Sequence, residues 1–426
     1  MRYFRSSSTF LYFLGTALLL QAAPAAALPE PWAARAVEVE AVYKTYQERL
    51  GRFYASLNLL LKAEAPDLIP PSEKAPAPVV HGYQILPKIV PNAAPPAQRP
   101  RAEVRSFSWP WTRAMIGRES EKLAAVEADL ARVQTAPAPD RRALYVKLAA
   151  AYAALPVGQV MIDNHIQYNR LWQNNIAANR AFYDAQTRLA DAVVERQAIY
   201  DALAKPDAAG EALLRAREEA LSRDIRAATD EVAPAAFVHV EHPAPHRWIV
   251  RVPFITDIED EKFLSSFKSA VEETWRVTDG EDDYRAAVAL TRVSPLSLYP
   301  AGPPKNGDPI DLAKHLALFP QGSAVLTTGA ATTYVDSPRF IVIGANEIKP
   351  HDLAHEFGHI LGFKDVYFRG YRDMGADGFD VQEIVAEPDD IMGAPGWGPV
   401  RKGHFARLIE ALRPGSAGGP GKAKKS

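Results

Sequence analysis

The sequence predicts an α+β protein: a mainly α-helical N-terminal region followed by a domain that mixes strands and helices. Three features carry this. Residues 118–230 are dense in Ala, Leu, Arg, Glu and Gln, the composition of packed helices. Near Pro234 the texture changes, and Arg247-Trp248-Ile249-Val250-Arg251-Val252 alternates as a strand does. Farther on, Pro350 to Leu361 is amphipathic at a helical period. The 426 residues are enough for one large or two ordinary domains with real cores. A formal net charge of −2 gives no global field toward nucleic acid or an anionic membrane.

Taken in order, Arg2 and Arg5 precede the apolar run Phe10–Leu20, and Ala25-Ala26-Ala27 offers a small-residue cleavage site. Residues 1–27 therefore read as a cleaved export signal, with no membrane span expected afterwards. The chain has no Cys, so it has no disulfide, no thiolate ligand and no lipoprotein anchor. Export without Cys suits a bacterial periplasm or the medium better than a disulfide-rich secretome. Residues 28–63 predict a helix, with Val39, Val42, Tyr46 and Leu50 on one stripe. Residues 64–117 are crowded with Pro66, Pro70, Pro71, Pro76, Pro78 and five more prolines up to Pro100, and predict an extended linker without helix or sheet ladders. Within 118–230, breaks are expected near Pro137-Ala138-Pro139, Leu155-Pro156 and Lys205-Pro206. That leaves Val157–Leu203 as the longest helical stretch. Its aromatics Tyr168, Trp172, Phe182 and Tyr183 read as helix packing in a hairpin or bundle.

The second domain, 231–414, opens on the strand at Arg247. Thr256-x-x-Glu259 reads as a capping box for a helix with Phe263, Phe267, Val271 and Trp275 on one stripe. Strands are expected at Ala286–Leu290, Ala324–Thr328, Thr332–Val335 and Phe340–Ile343, and a C-terminal helix at Arg401–Leu412. The tail 415–426, with Lys422, Lys424 and Lys425, is expected to be disordered.

The chemistry concentrates in His355-Glu356-Phe357-Gly358-His359-Ile360-Leu361-Gly362-Phe363-Lys364-Asp365. Residues four apart share a helix face, so His355 and His359 can grip one zinc ion. Glu356, next to the first ligand, can reach a water on that ion as general base. Pro350 suits the first helical turn and Gly362 the left-handed position just past the end. At about 100° per residue, Asp352, His355, Glu356 and His359 fall on one side and Leu353, Phe357, Ile360 and Leu361 on the other. Asp365, beyond the glycine, is the favoured third ligand. Glu383 and Glu387 are the alternatives, in the manner of sites whose third ligand comes from a later element. Three protein ligands leave one position open for water, as catalysis requires.

This stretch resembles the metzincin zinc metallopeptidases, whose motif is H-E-x-x-H-x-x-G-x-x-H or D. The Asp version is similar to the snapalysin-like and immune-inhibitor-A-like branches. The resemblance covers roughly the last 180 residues, a typical domain length. It implies a twisted mixed sheet, a zinc helix, a methionine turn and a C-terminal helix. It places the turn at Asp390-Ile391-Met392-Gly393, with Met392 packing under the metal without chemical function. Several branches carry a Tyr two residues after that Met; here Ala394 stands there, so no tyrosine is expected from the turn. The resemblance also places the segment near Ala330–Val335 along a cleft where an extended substrate pairs.

The function expected is an exported zinc-dependent endopeptidase acting on protein or peptide substrates. Two other readings stay open: an envelope scaffold with a non-catalytic domain of this kind, and an amidase acting on cell-wall peptides. The helical region could be a prosegment or a targeting module. Asp373, Asp377, Asp380, Glu383, Glu387, Asp389 and Asp390 make the stretch between Asp365 and Met392 an acidic loop. Calcium is a secondary expectation there. His404 reads as a surface or satisfied core residue, and His239, His242 and His246 as incidental.

Overall fold

The computed structural model describes residues 32–69, 82–92, 94, 103–106, 112–205, 210–373, 379–393 and 397–413. The expected export signal and the basic tail lie outside them. In chain order the elements are α1 (Trp32–Glu64), β1 (Glu103–Ser106), α2 (Thr112–Val133), α3 (Ala138–Ala178), α4 (Arg180–Leu203) and α5 (Glu211–Thr229). Then follow β2 (His239–Ala244), β3 (Arg247–Thr256), α6 (Glu261–Thr274), β4 (Arg276–Asp279), β5 (Asp282–Arg292), α7 (Pro295–Leu298) and α8 (Leu312–Ala317). The last are β6 (Ala324–Ala330), β7 (Tyr334–Asp336), β8 (Phe340–Gly344), α9 (Pro350–Ile360), β9 (Tyr367–Asp373), β10 (Phe379–Val385) and α10 (Lys402–Leu412).

The chain is α+β, as its composition predicts. Tyr43, Tyr46, Leu50, Phe53, Leu57 and Leu61 recur at helical spacing along α1. They bury against Met115, Ile116 and Leu123 of α2 and Tyr145, Leu148 and Leu155 of α3, giving a three-helix core. α3 does not break at Pro156 as expected. A helical proline forfeits one hydrogen bond at a cost of about 3 kcal/mol. Here Leu148, Leu155 and Ile162 seat the helix in the same core on both sides of it, and that burial prevails. The direction changes instead at Asn179, whose φ of −127° and ψ of 37° leave the helical region.

The segment expected to be a free linker is docked where it is described. Ile89 makes a parallel bridge to Ile348, and Asn92 accepts a hydrogen bond from the His351 N–H at 2.9 Å. That bond satisfies one of the orphan donors in the first turn of α9. β1 pairs antiparallel with β10, from Glu103 opposite Val385 to Ser106 opposite Gln382. The proline-free run Glu103–Ser106 escapes the composition argument that applies to its neighbours.

The second half is a curled mixed sheet in the order β4-β5-β3-β6-β8-β7, with β2 also paired to β3. β3 is parallel to β5 and β6, and β6 is parallel to β8; β7 is an antiparallel edge. One sheet face buries Val250, Val252, Phe254, Leu326 and Ile341 against α6 and α9, and this is the principal core. α6 starts later than the sequence suggests. Asp260, not Thr256, caps it by accepting from the Phe263 N–H at 2.8 Å; Thr256 accepts instead from Ile258 N–H, in the turn before the helix. On the opposite face Thr327 donates to Asp257 and contacts His315, all three buried, and His315 in turn meets the half-buried Tyr299. Gln84 of the docked segment reaches this corner, donating to the Asp257 carbonyl at 2.8 Å.

The stretch expected as an acidic loop before Met392 contains the β9–β10 hairpin, outside of 374–378, which are not among the described residues. Its described carboxylates face cations or backbone donors. Glu383 meets Arg369, Glu387 meets Arg196, Asp389 meets Arg401 and Asp390 meets His404. Those four are therefore taken, and nothing described supports the calcium expectation.

Candidate metal centre

α9 begins as the sequence suggests, with Pro350 at its first position and the Asp352 carboxylate accepting from the Lys349 N–H at 3.0 Å. Leu353, Phe357 and Ile360 are wholly buried, so the opposite side of the helix carries His355, Glu356 and His359 away from the sheet core. Trp275, also wholly buried, donates its indole N–H to the Ala354 carbonyl at 2.8 Å and fixes the height of the helix. At the far end Gly362 has φ +92°, a left-handed backbone that ends the helix and sends the chain back. Its carbonyl accepts from Ala233 N–H at 3.1 Å, and a Cβ on it would lie 2.4 Å from the Ala233 backbone.

That reversal brings Asp365 to the histidines. Its Oδ1 lies 3.3 Å from His355 Nε2 and 3.3 Å from His359 Nε2, and one ligand atom from each of the three residues falls within 4.8 Å of the others. Glu383 and Glu387, the alternatives for the third position, are instead committed to arginines. Among the described residues this is the one group of three or more His, Asp or Glu close enough to share an ion.

The imidazoles are oriented for the task. His355 Nδ1 lies 2.8 Å from the Ile391 carbonyl and His359 Nδ1 2.9 Å from the Phe363 carbonyl. A carbonyl only accepts, so the proton sits on each Nδ1 and the Nε2 lone pairs converge. Burial by itself would depress the His359 pKa. The neighbouring Asp365 charge and hydrogen bond outweigh that and raise it to about 9, and His355 is raised in the same sense. Asp365 is held well below the usual carboxylate range, its own burial overcome by the two histidines. Glu356 goes the other way: burial raises its pKa, and its Oε2 is buried with no hydrogen-bond partner. Two convergent imidazole nitrogens, an Asp365 Oδ1 lying 3.3 Å from both and an unpartnered Glu356 oxygen are the donor set a divalent cation with one water would satisfy.

Met392 lies beneath. A Cβ on Gly358 would come 2.4 Å from Met392 Sδ, so the sulfur packs against the helix between the two histidines. The turn is held by Asp390, which accepts from Met392 N–H at 2.8 Å and pairs with His404 at 3.1 Å. His404 is thus a satisfied core histidine. His246 faces Asp282 and His242 stacks on Trp248, and neither belongs to the group formed by His355, His359 and Asp365.

The sequence argument missed Tyr367. It lies two residues after Asp365, hydrogen-bonds that carboxylate, and has its hydroxyl pKa pushed far up by burial and then by the Asp365 charge. Arg369 stands 5.1 Å over its ring and bonds Glu383 at 3.1 Å. The signal was present: Asp365, Tyr367 and Arg369 are spaced by two, and on a strand they share a face. No protein-family model matches the chain, and comparison with curated proteins and with solved structures likewise yields no match.

Proposed function

We propose that the protein is an exported zinc-dependent endopeptidase of metzincin type, with His355, His359 and Asp365 as ligands and Glu356 as general base. The observation that carries the proposal is the convergence of three ligand atoms, each histidine locked by a carbonyl, beside Glu356, whose buried Oε2 has no hydrogen-bond partner. Zinc, when bound there, would supply a polarised water and a Lewis acid for the scissile carbonyl. Glu356, its pKa raised by burial, is suited to take the proton of the attacking water and deliver it to the leaving amine. Asp365 anchors its side of the site and is itself held by Tyr367. The edge strand β7, which precedes α9, supplies a place for an extended substrate to pair, in line with the resemblance in the motif.

The test is hydrolysis of an unstructured protein such as casein by the full chain beside Glu356→Gln. Activity that a chelator abolishes, zinc restores and the variant lacks supports the proposal. Zinc binding with no hydrolysis of any protein or peptide, even after limited proteolysis, would replace it with the scaffold reading.

A further inference from the structure

The helical region reaches the metal centre through α4. This helix lies along the free edge of β9, and its side chains meet the edge N–H groups: Gln186 accepts from Arg369 N–H at 3.2 Å and Thr187 from Tyr371 N–H at 3.1 Å. Asp184 accepts from the Tyr371 hydroxyl at 2.8 Å. Gly370 lets helix and strand approach, since a Cβ there would lie 3.2 Å from the Ala190 Cβ. Ala190, Val193 and Ile225 share one buried cluster with Phe368, Ile384 and Ala386.

At the end of this contact Arg196, only 5 % exposed, donates to the Ala386 carbonyl at 2.8 Å and to Glu387 Oε1 at 3.3 Å. The Ala386 N–H bonds the Val366 carbonyl at 2.8 Å, and the Val366 N–H bonds the Met392 carbonyl at 3.3 Å. The Glu387 carbonyl accepts from Asp390 N–H, which opens the methionine turn. Arg196 therefore holds the strand end that flanks Asp365 on one side and Met392 on the other. A guanidinium is suited to this, because its planar fork can serve a carbonyl and a carboxylate together.

Resting on the peptidase reading, we propose that Arg196 is a positioning residue for the metal centre, and that α4 and α5 belong permanently to the active unit instead of forming a removable prosegment. Cutting the chain before residue 231 would strip the cover from Phe368, Ile384 and Ala386 and leave buried backbone groups of β9 and Ala386 without partners.

The test uses the full chain, with zinc affinity measured by competition against a chromophoric chelator and turnover on casein. Arg196→Met is expected to weaken zinc roughly 10–100-fold, the range for residues that orient ligands. It should lower kcat while leaving KM within about twofold. Arg196→Lys should recover part of both, because an ammonium can still serve the carbonyl. Arg217→Met, which removes an exposed partner of Glu195 on the same hairpin, should change neither. The intact mass of the most active species should include residues from Arg180 onward. Wild-type zinc affinity and kcat in Arg196→Met, or a fully active species beginning near residue 231, overturns the inference and leaves the peptidase reading standing. A wild-type chain that binds no zinc overturns both. Zinc affinity reads Arg196 even where no substrate has been found.

Discussion

Replacing Gly362 with alanine tests whether the chain reversal after α9 builds the site. Three terms enter. The backbone at φ +92° is left-handed, which costs an L-residue about 1–2 kcal/mol. The added methyl meets backbone atoms of Ala233 at 2.4 Å and Pro234 N at 2.6 Å, and backbone cannot swing aside as a side-chain tip can. Overpacking of that kind costs about 1–3 kcal/mol. Against these, alanine restricts the unfolded chain and returns about 0.4–1 kcal/mol. The net is a loss of about 3 kcal/mol, or a melting temperature roughly 6–12 °C lower for a cooperative unit of 150–250 residues. Because Asp365 follows three residues later, zinc affinity should fall with stability. Calorimetry and chelator competition on the same samples measure both. A Gly362→Ala protein that melts with the wild type and binds zinc equally well would show that the turn does not position the third ligand.

The remaining predictions bear on charge and on helix interiors. With His359 near 9, zinc binding at pH 7 must displace a proton held two pH units above ambient, about 2.7 kcal/mol. Affinity should rise about fiftyfold from pH 7 to 9 and level off at about a hundredfold above that, and titration in buffers of different ionisation enthalpy should show proton release; its absence refutes the assignment. The same raised pKa stabilises the metal-free fold below about pH 6.5, and this contribution is lost as pH rises through about 9; melting curves of metal-free and zinc-loaded protein should therefore diverge over that window. Glu383→Gln removes, at a wholly buried position, the carboxylate charge that faces the Arg369 guanidinium at 3.1 Å, and should cost about 3 kcal/mol in chemical denaturation. That variant should still bind zinc while folded; complete loss of zinc would make Glu383 the ligand. Gly117→Ala, on α2 with nothing within 4 Å of the new methyl, should stabilise by about 0.5–1 kcal/mol, the reverse of Gly362→Ala.

The grouping of the candidate site residues was legible because they sit on one helix and one turn. The i, i+4 histidines, Pro350 and Gly362 are local signals, and the structure places them accordingly. Core strand β3 was visible in its alternation, and β5, β6 and β8 as short apolar or β-branched runs. The hairpin β9–β10 was not, because its carboxylates read as a solvated loop until the strands pair to set Arg369 against Glu383 and Arg196 arrives at Glu387 from far earlier in the chain. Pro156 misled for the opposite reason: a strong local breaker was overruled by burial on both sides of it. The docking of residues 82–92 combines the side chains of Gln84, at φ +57°, and Asn92 with backbone bonds from Tyr83 N–H to the Asp308 carbonyl and from Ile348 N–H to the Lys88 carbonyl, contacts with no periodic trace in the sequence.

The pairing of β1 with β10 has a consequence for how the molecule is made. Glu103 finds its partner Val385 only about 280 residues later in synthesis, and α1 waits for α2 and α3 while the intervening segment docks on strands not yet present. Such distant closures are slow, since chain entropy is spent before contacts repay it. β1 therefore stays unpaired until nearly the whole chain has emerged, whereas α1, α2 and α3 can close on one another once Ala178 has been made. A nascent chain that cannot complete this sheet early keeps its β1 strand unpaired, the kind of open edge through which incompletely folded chains aggregate.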